Sequence, residues 1–139
     1  MSRTRWEAYL EGAFSIPANE TLGFQRRDAP DPNEVAFTWT VPAELCNSAG
    51  NLQGGMLAAF ADAVLGGLCA TQLDEDSYPA LAEMKISFLR PAPAGATITG
   101  TGRLLKVGKR LMFAEAEITD SDGRMIAKIS GTELPASLP

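Results

Sequence analysis

The stretch GGMLAAFADAVLGGLCATQL, running from Gly54 to Leu73, decides how the rest of this 139-residue sequence is read. Its length and its alanine and leucine content favour a helix over a strand. It is apolar on almost every side, which predicts a helix buried on every side. A membrane span is set aside because Asp62, near its middle, would cost ~3 kcal/mol in a bilayer. The glycines at 54, 55, 66 and 67 add no hydrophobicity either.

Downstream of this helix the pattern changes to period two. After the polar turn Asp74–Ser77, Met84, Ile86 and Phe88 alternate with Lys85 and Ser87. Residues 96–107 are rich in Thr, Ile, Leu and Val, and a turn at Gly108–Arg110 follows. Residues 111–119 place Met112, Ala114, Ala116 and Ile118 on one face. Asp120–Gly123 is a hairpin signal, and a last strand starts at Met125 and ends before Pro135. Upstream, Val35, Phe37, Trp39 and Val41 alternate with Ala36, Thr38 and Thr40 as a half-buried strand. Trp6, Tyr9, Leu10 and Phe14 mark an amphipathic helix over about 3–14 that Pro17 ends. Residues 18–33 read as loop with a short strand near Leu22–Arg26. Strands joined by tight turns pair antiparallel. The expected fold is therefore α+β, a single domain over 1–139 with about five or six strands around the central helix at about 54–73.

Composition narrows the chemistry. Charged residues make up 21 %, the formal net charge is −5, and non-specific nucleic-acid binding is not expected. There is no apolar leader in Met1–Glu11, so a cytoplasmic protein without a membrane partner is expected. The chain contains no histidine. Serine–histidine triads, Cys–His dyads and histidine-ligated metals are thereby excluded. Cys46 has no histidine partner, and Cys69, on a helix face similar to that of Asp62, reads as a packing residue.

Asp62 is the only charged residue between Glu44 and Asp74. A carboxylate in apolar surroundings is costly unless paired, and its raised proton affinity suits it to act as a base near neutral pH. A structural hydrogen bond or a solvent-facing position would account for it equally well. The helix start offers a second feature. Gln53-Gly54-Gly55, with Asn47 and Asn51 upstream, presents free backbone N–H groups and a positive dipole end to which a carbonyl could bind. A plain glycine turn reads the same way. Gly54 and Asp62 lie eight residues apart, or ~12 Å along a helix. One carbonyl, needing groups ~3 Å away, cannot touch both in one chain. If both act, a dimer with antiparallel helices brings them together from different subunits.

The segment from Asn47 through Gln53-Gly54-Gly55 to Asp62 resembles the signature of the PaaI-type (phenylacetate-degradation-like) hotdog-fold acyl-CoA thioesterases. Phe88-Leu89-Arg90-Pro91-Ala92 is similar to the strand and turn that follow it, and the resemblance spans about residues 33–133. It implies a hotdog homodimer, often paired into a homotetramer, that hydrolyses acyl-CoA thioesters. No cofactor is implied beyond coenzyme A as part of the substrate, and no metal. Asp62 would be general base or nucleophile, the Gly54 N–H would polarise the carbonyl, and Asn47 would help hold the carbonyl or water. Gly55 would join the substrate-binding loop. Two departures stand out. Gln53 replaces the family's histidine and can donate a hydrogen bond but not carry a proton. Leu81 stands where a Ser or Thr is usual, two residues before Glu83. Arg90, Lys106 and Lys109 are candidate contacts for coenzyme A phosphates, and Met56, Phe60, Leu81 and Trp39 are candidates for an acyl pocket. A dimer that binds acyl thioesters without cleaving them is the alternative reading. Hydratases of the same fold fall behind because their sites use a histidine.

Overall fold

The computed structural model describes residues 2–27 and 34–139. Helix α1 (Arg5–Leu10) is fixed by a capping box, in which the Thr4 side chain accepts from the Glu7 N–H and the Glu7 carboxylate from the Thr4 N–H. It is shorter than the expected 3–14 because Gly12, at φ 77°, terminates it. Pro17 does not end that helix but starts a second one, α2 (Pro17–Leu22). Proline's fixed φ and missing N–H suit the first helical position. Residues 18–21, expected as loop, are therefore helical, as is Leu22, expected in the short strand, and strand β1 is confined to Gln25–Arg26. The part of the expected loop at 28–33 lies outside the described residues.

Strand β2 (Ala36–Thr40) leads through a short 3-10 turn to the long helix α3 (Gly54–Ala70), which stops short of the expected Leu73. Four strands follow: β3 (Ser77–Phe88), β4 (Thr97–Val107), β5 (Met112–Thr119) and β6 (Met125–Ser137). They form one antiparallel sheet in the order β1-β2-β4-β5-β6-β3. β6 runs through Pro135 instead of ending before it. Its pairing with β5 reaches only to Glu133, so beyond that point β6 is an edge on that side and the missing proline N–H breaks no ladder bond there.

Leu57, Phe60, Val64, Leu65 and Leu68 of α3 are buried against the sheet. The sheet comes this close because glycines face the helix. A Cβ on Gly131 would lie 2.5 Å from Leu65 Cδ1, and one on Gly100 would lie 2.6 Å from Val64 Cγ2. α3 is not buried all round: Gly55 and Asp62 lie exposed on its opposite side. Phe60 and Trp39, expected in an acyl pocket, instead stack in the core with ring centroids 5.5 Å apart. No helix among the described residues is long and apolar enough to cross a membrane.

One core residue is an anomaly. Glu133, on the helix-facing side of β6, is 1 % exposed, and neither carboxylate oxygen has a hydrogen-bond partner among the described residues. Burial raises its carboxyl from the usual 4.5 to about 7, with the Asp62 charge reinforcing the shift and the Cys69 thiol opposing it. Between these values the unfolded chain has lost this proton while the folded chain keeps it. Stability therefore falls as pH rises through that window, by about 3 kcal/mol, and levels off above it. Urea titrations at about pH 5 and about pH 8 should show this loss in the wild type and a much smaller one in Glu133→Met. Equal pH slopes in the two proteins would exclude a proton held on Glu133.

Candidate active site

Two cavities lie at different levels of α3, and each holds one of the expected groups. The first is a cleft of about 400 Å³ at the helix start, lined by Asn47, Asn51, Gly54, Phe88 and Arg90 among others. Gln53 is the N-cap residue. Its carbonyl accepts from the Met56 and Leu57 N–H groups, at 2.9 and 3.1 Å. The N–H groups of Gly54 and Gly55 find no acceptor among the described residues and stand at the positive end of the helix. The Gln53 side chain is exposed and makes no capping bond.

Asn47 is tied into its own loop. Its Oδ1 accepts from the Ala49 and Asn51 N–H groups, at 3.0 and 3.2 Å. What remains for a ligand is the amide Nδ2, a donor only, so Asn47 suits a carbonyl better than it suits a water proton. Arg90 donates from Nη1 to the Met125 carbonyl at 2.8 Å, and this anchor holds its guanidinium at the same cleft. Lys106 and Lys109 do not join it. Both are exposed at the β4–β5 hairpin end, where Lys109 shares a depression with Gln72, Leu73 and Asp74, beyond the C-terminus of α3. The set Arg90, Lys106, Lys109 is thus split between opposite ends of one chain.

The second cavity, about 320 Å³, lies between α3 and the α1–α2 segment, and Asp62 stands in its wall. Asp62 remains exposed in the single chain, yet desolvation by its surroundings raises its carboxyl above the ordinary aspartate value. No counter-charge among the described residues offsets the effect. Gly54 does not line this chamber, and Asp62 does not line the cleft. One chain therefore keeps Gly54 and Asp62 apart, on separate cavities of the same helix. Of the acyl-pocket candidates, Met56 is half-buried on α3 and Leu81 lies 38 % exposed on β3, and neither lines the chamber. Cys69 is buried, and burial together with Glu133 pushes its thiol up, which removes it as a nucleophile. The Cys46 thiol donates to the Pro42 carbonyl at 3.4 Å.

Sequence reasoning missed the α1–α2 wall. Tyr9, Phe14, Ile16, Leu22 and Phe24 line the chamber, and Asn19 sits among them. The signal was available: a proline at the first position with Glu20 in the first turn is a helix start.

The profile of the thioesterase superfamily matches residues 49–127, from the loop before α3 to the start of β6. Mouse acyl-coenzyme A thioesterase 13 is 30 % identical over 99 residues, which cover 70 % of this chain and 69 % of that protein. The acyl-coenzyme A thioesterase PaaI of Escherichia coli is 30 % identical over 102 residues, covering 73 % and 70 %. The solved structure of the E. coli PaaI protein superposes with a TM-score of 0.82 over 97 % of this chain and 94 % of that one, at 22 % identity. A Streptococcus mutans protein solved with acetyl-CoA bound superposes with a TM-score of 0.73 at 18 % identity, over 82 % and 89 %. These two superpositions speak to the fold. Together with the match of profile and sequence, they show that the chain belongs to the thioesterase superfamily, as a hotdog-fold protein of the PaaI type.

Proposed function

We propose that this protein hydrolyses acyl-CoA thioesters at two equivalent sites, each completed by two chains. The observation that carries this reading is the division of the site: Gly54 lines one cavity and Asp62 another on the same helix. Two α3 helices packed antiparallel would set the Gly54 end of one chain beside Asp62 of the other. The surface needed for this is present. Gly55 and Asp62 lie exposed on α3, and β3 is a sheet edge with Tyr78, Leu81 and Phe88 exposed at 39 %, 38 % and 58 %. An open edge with apolar side chains is an invitation to pair.

In such a site the thioester carbonyl accepts from the Gly54 N–H and from Asn47 Nδ2, while Arg90 offers its remaining N–H groups to a coenzyme A phosphate. The Asp62 carboxylate takes a proton from water as the water oxygen bonds to the carbonyl carbon. The resulting oxyanion is held at the helix start. Its collapse breaks the C–S bond, and the departing thiolate receives the proton from the Asp62 carboxyl. Direct attack by Asp62 would give a mixed anhydride that water then cleaves, with the same groups at work. Gln53 can donate to the carbonyl or to the leaving group but cannot carry the proton, so Asp62 alone does.

Thiol release from a panel of acyl-CoAs, short, long and aromatic, tests the reading. Asp62→Asn should lower kcat by about 10²- to 10⁴-fold with substrate binding largely kept. Turnover that survives the substitution removes Asp62 from the mechanism. No turnover by the wild type on any substrate favours a protein that binds acyl thioesters without cleaving them. In the wild type kcat/KM should rise with pH along a limb set by Asp62, placed above the usual aspartate range because its folded-state affinity for the proton is raised. Asp62→Asn should abolish that limb.

Gly54→Pro isolates the backbone donor. Gln53, at φ −59° and ψ 136°, already has the extended conformation that a following proline requires, and Gly54 is the first helical residue. The variant should fold with near wild-type stability and lose about 10²- to 10³-fold in kcat. Mixing and refolding Gly54→Pro with Asp62→Asn should restore about a quarter of wild-type activity, since half the dimers then carry one intact site of two. An inactive mixture containing heterodimers would show that the two groups do not act across subunits.

A further inference from the structure

Hydrolysis by Asp62 and the helix start leaves Glu133 without a role. Its two carboxyl oxygens are the buried side-chain atoms that lack a hydrogen-bond partner among the described residues. At 1 % exposure the residue has no contact with solvent. A carboxyl held in this way is costly, and an apolar side chain of similar size would serve stability as well or better. The sheet around it is irregular too. β3 pairs with β6 at Leu81↔Glu133 and next at Glu83↔Thr132, so the extra residue, Ala82, falls beside Glu133. Bulges of this kind re-aim side chains and are common beside active sites.

Two paths lead from Glu133 to Asp62. Along α3, Asp62, Leu65 and Cys69 follow one another at spacings of three and four, a row that runs from the exposed carboxylate to the buried thiol. Leu65 rests on Gly131, where an added Cβ would lie 2.5 Å from its Cδ1, and Glu133 is the next inward residue of β6. Cys69, one turn further along α3, is the thiol that acts on the Glu133 carboxyl. Across the sheet, Asp62 shares a cavity wall with Tyr78 and Pro79 of β3, and Leu81 of the same strand is the register partner of Glu133. The other neighbours bring no charge to it: β5 sets Met112 opposite Glu133, and Glu83 lies exposed. Asp62 and Cys69 are thus the titratable groups that act on Glu133, and no cation among the described residues does so.

We infer that Glu133 is a positioning residue for hydrolysis, acting on Asp62 through the protein interior so that its charge sets the strength of Asp62 as a base. The inference rests on the reading of Asp62 as the group that takes the proton from water. The Asp62 charge makes Glu133 harder to ionise. Linkage then requires that a Glu133 anion hold a proton on Asp62 by the same measure. Glu133 titrates at about 7, so Asp62 works beside a neutral carboxyl below that pH and beside an anion above it. During attack, negative charge leaves Asp62 for the carbonyl oxygen held at the helix start of the other chain. A fixed anion at Glu133 favours this transfer, because it carries charge away from a like charge. The proton that Glu133 loses goes to solvent and takes no part in the bond changes.

Ligand-free protein labelled with 13C at its aspartate carboxyls gives the first readout. The Asp62 signal, assigned by its loss in Asp62→Asn, should show its own inflection and a second, smaller one near pH 7. The chain has no histidine to titrate in that range. Glu133→Gln should remove the second inflection and keep the first. A single inflection in the wild type overturns the inference whether or not the variant folds, and so does a second inflection that survives Glu133→Gln. Thiol release gives the other readout. Wild-type kcat/KM should rise along the Asp62 limb and then, by roughly threefold or more, through pH 7. Glu133→Asp should keep an upper step and Glu133→Gln should lack it. A loss by the same factor at every pH in Glu133→Gln would mark a purely structural residue and overturn the inference. The titration is read without substrate, so a wild type that shows both inflections but releases no thiol fails the thioesterase reading alone.

Discussion

The close seating of α3 on the sheet governs everything else in this molecule. It depends on glycines at 100 and 131, where any Cβ would collide with Val64 or Leu65. With the helix pressed this near, the large residues on its inner side fill the core, and its outer side carries mostly small residues and Asp62. The carboxylate is thus held on a rigid element, not on a loop, and its height above the sheet is fixed by backbone contact. Sites carried on rigid elements keep their geometry better than sites carried on loops.

Much of this was legible in the sequence because the pattern is strong. The apolar run with a single charge gave the helix and its extent to within a turn. The alternation of Met112, Ala114, Ala116 and Ile118 matches a strand whose burial alternates without exception. The eight-residue spacing from Gly54 to Asp62 could be turned into a distance that one carbonyl cannot span. The structure keeps those two residues in separate cavities.

What escaped the sequence reading did so for identifiable reasons. Pro17 was read as a stop because proline breaks helices more often than it begins them, and the α1–α2 wall was lost with it. Trp39 and Phe60 were assigned to a pocket on their chemistry alone, whereas tertiary packing stacks them together in the interior. Lys106 and Lys109 were grouped with Arg90 by charge, and strand β4 carries them to the other end of the helix. Glu133 gave no sign at all: in sequence it is one more polar residue in an alternating strand. Only the pairing with Met112 reveals that it faces inward, beneath α3.

The α1–α2 segment has a consequence for how this protein can change over time. Neither helix contributes a strand to the sheet, and each is only six residues long. Helices so short have almost no stability of their own. They persist through docking: the Arg5 N–H donates to the Leu73 carbonyl at 2.7 Å, Arg5 Nη1 donates to the Glu75 carbonyl at 2.8 Å, and Trp39 Nε1 donates to the Leu22 carbonyl at 2.8 Å. All three attachments fall on the backbone of a partner residue. Two of the three, at Arg5 and at Leu22, use the backbone of the segment and survive exchange of the side chains between them. A lineage built on this frame can remodel that wall while the carboxylate and the helix start keep their places on α3.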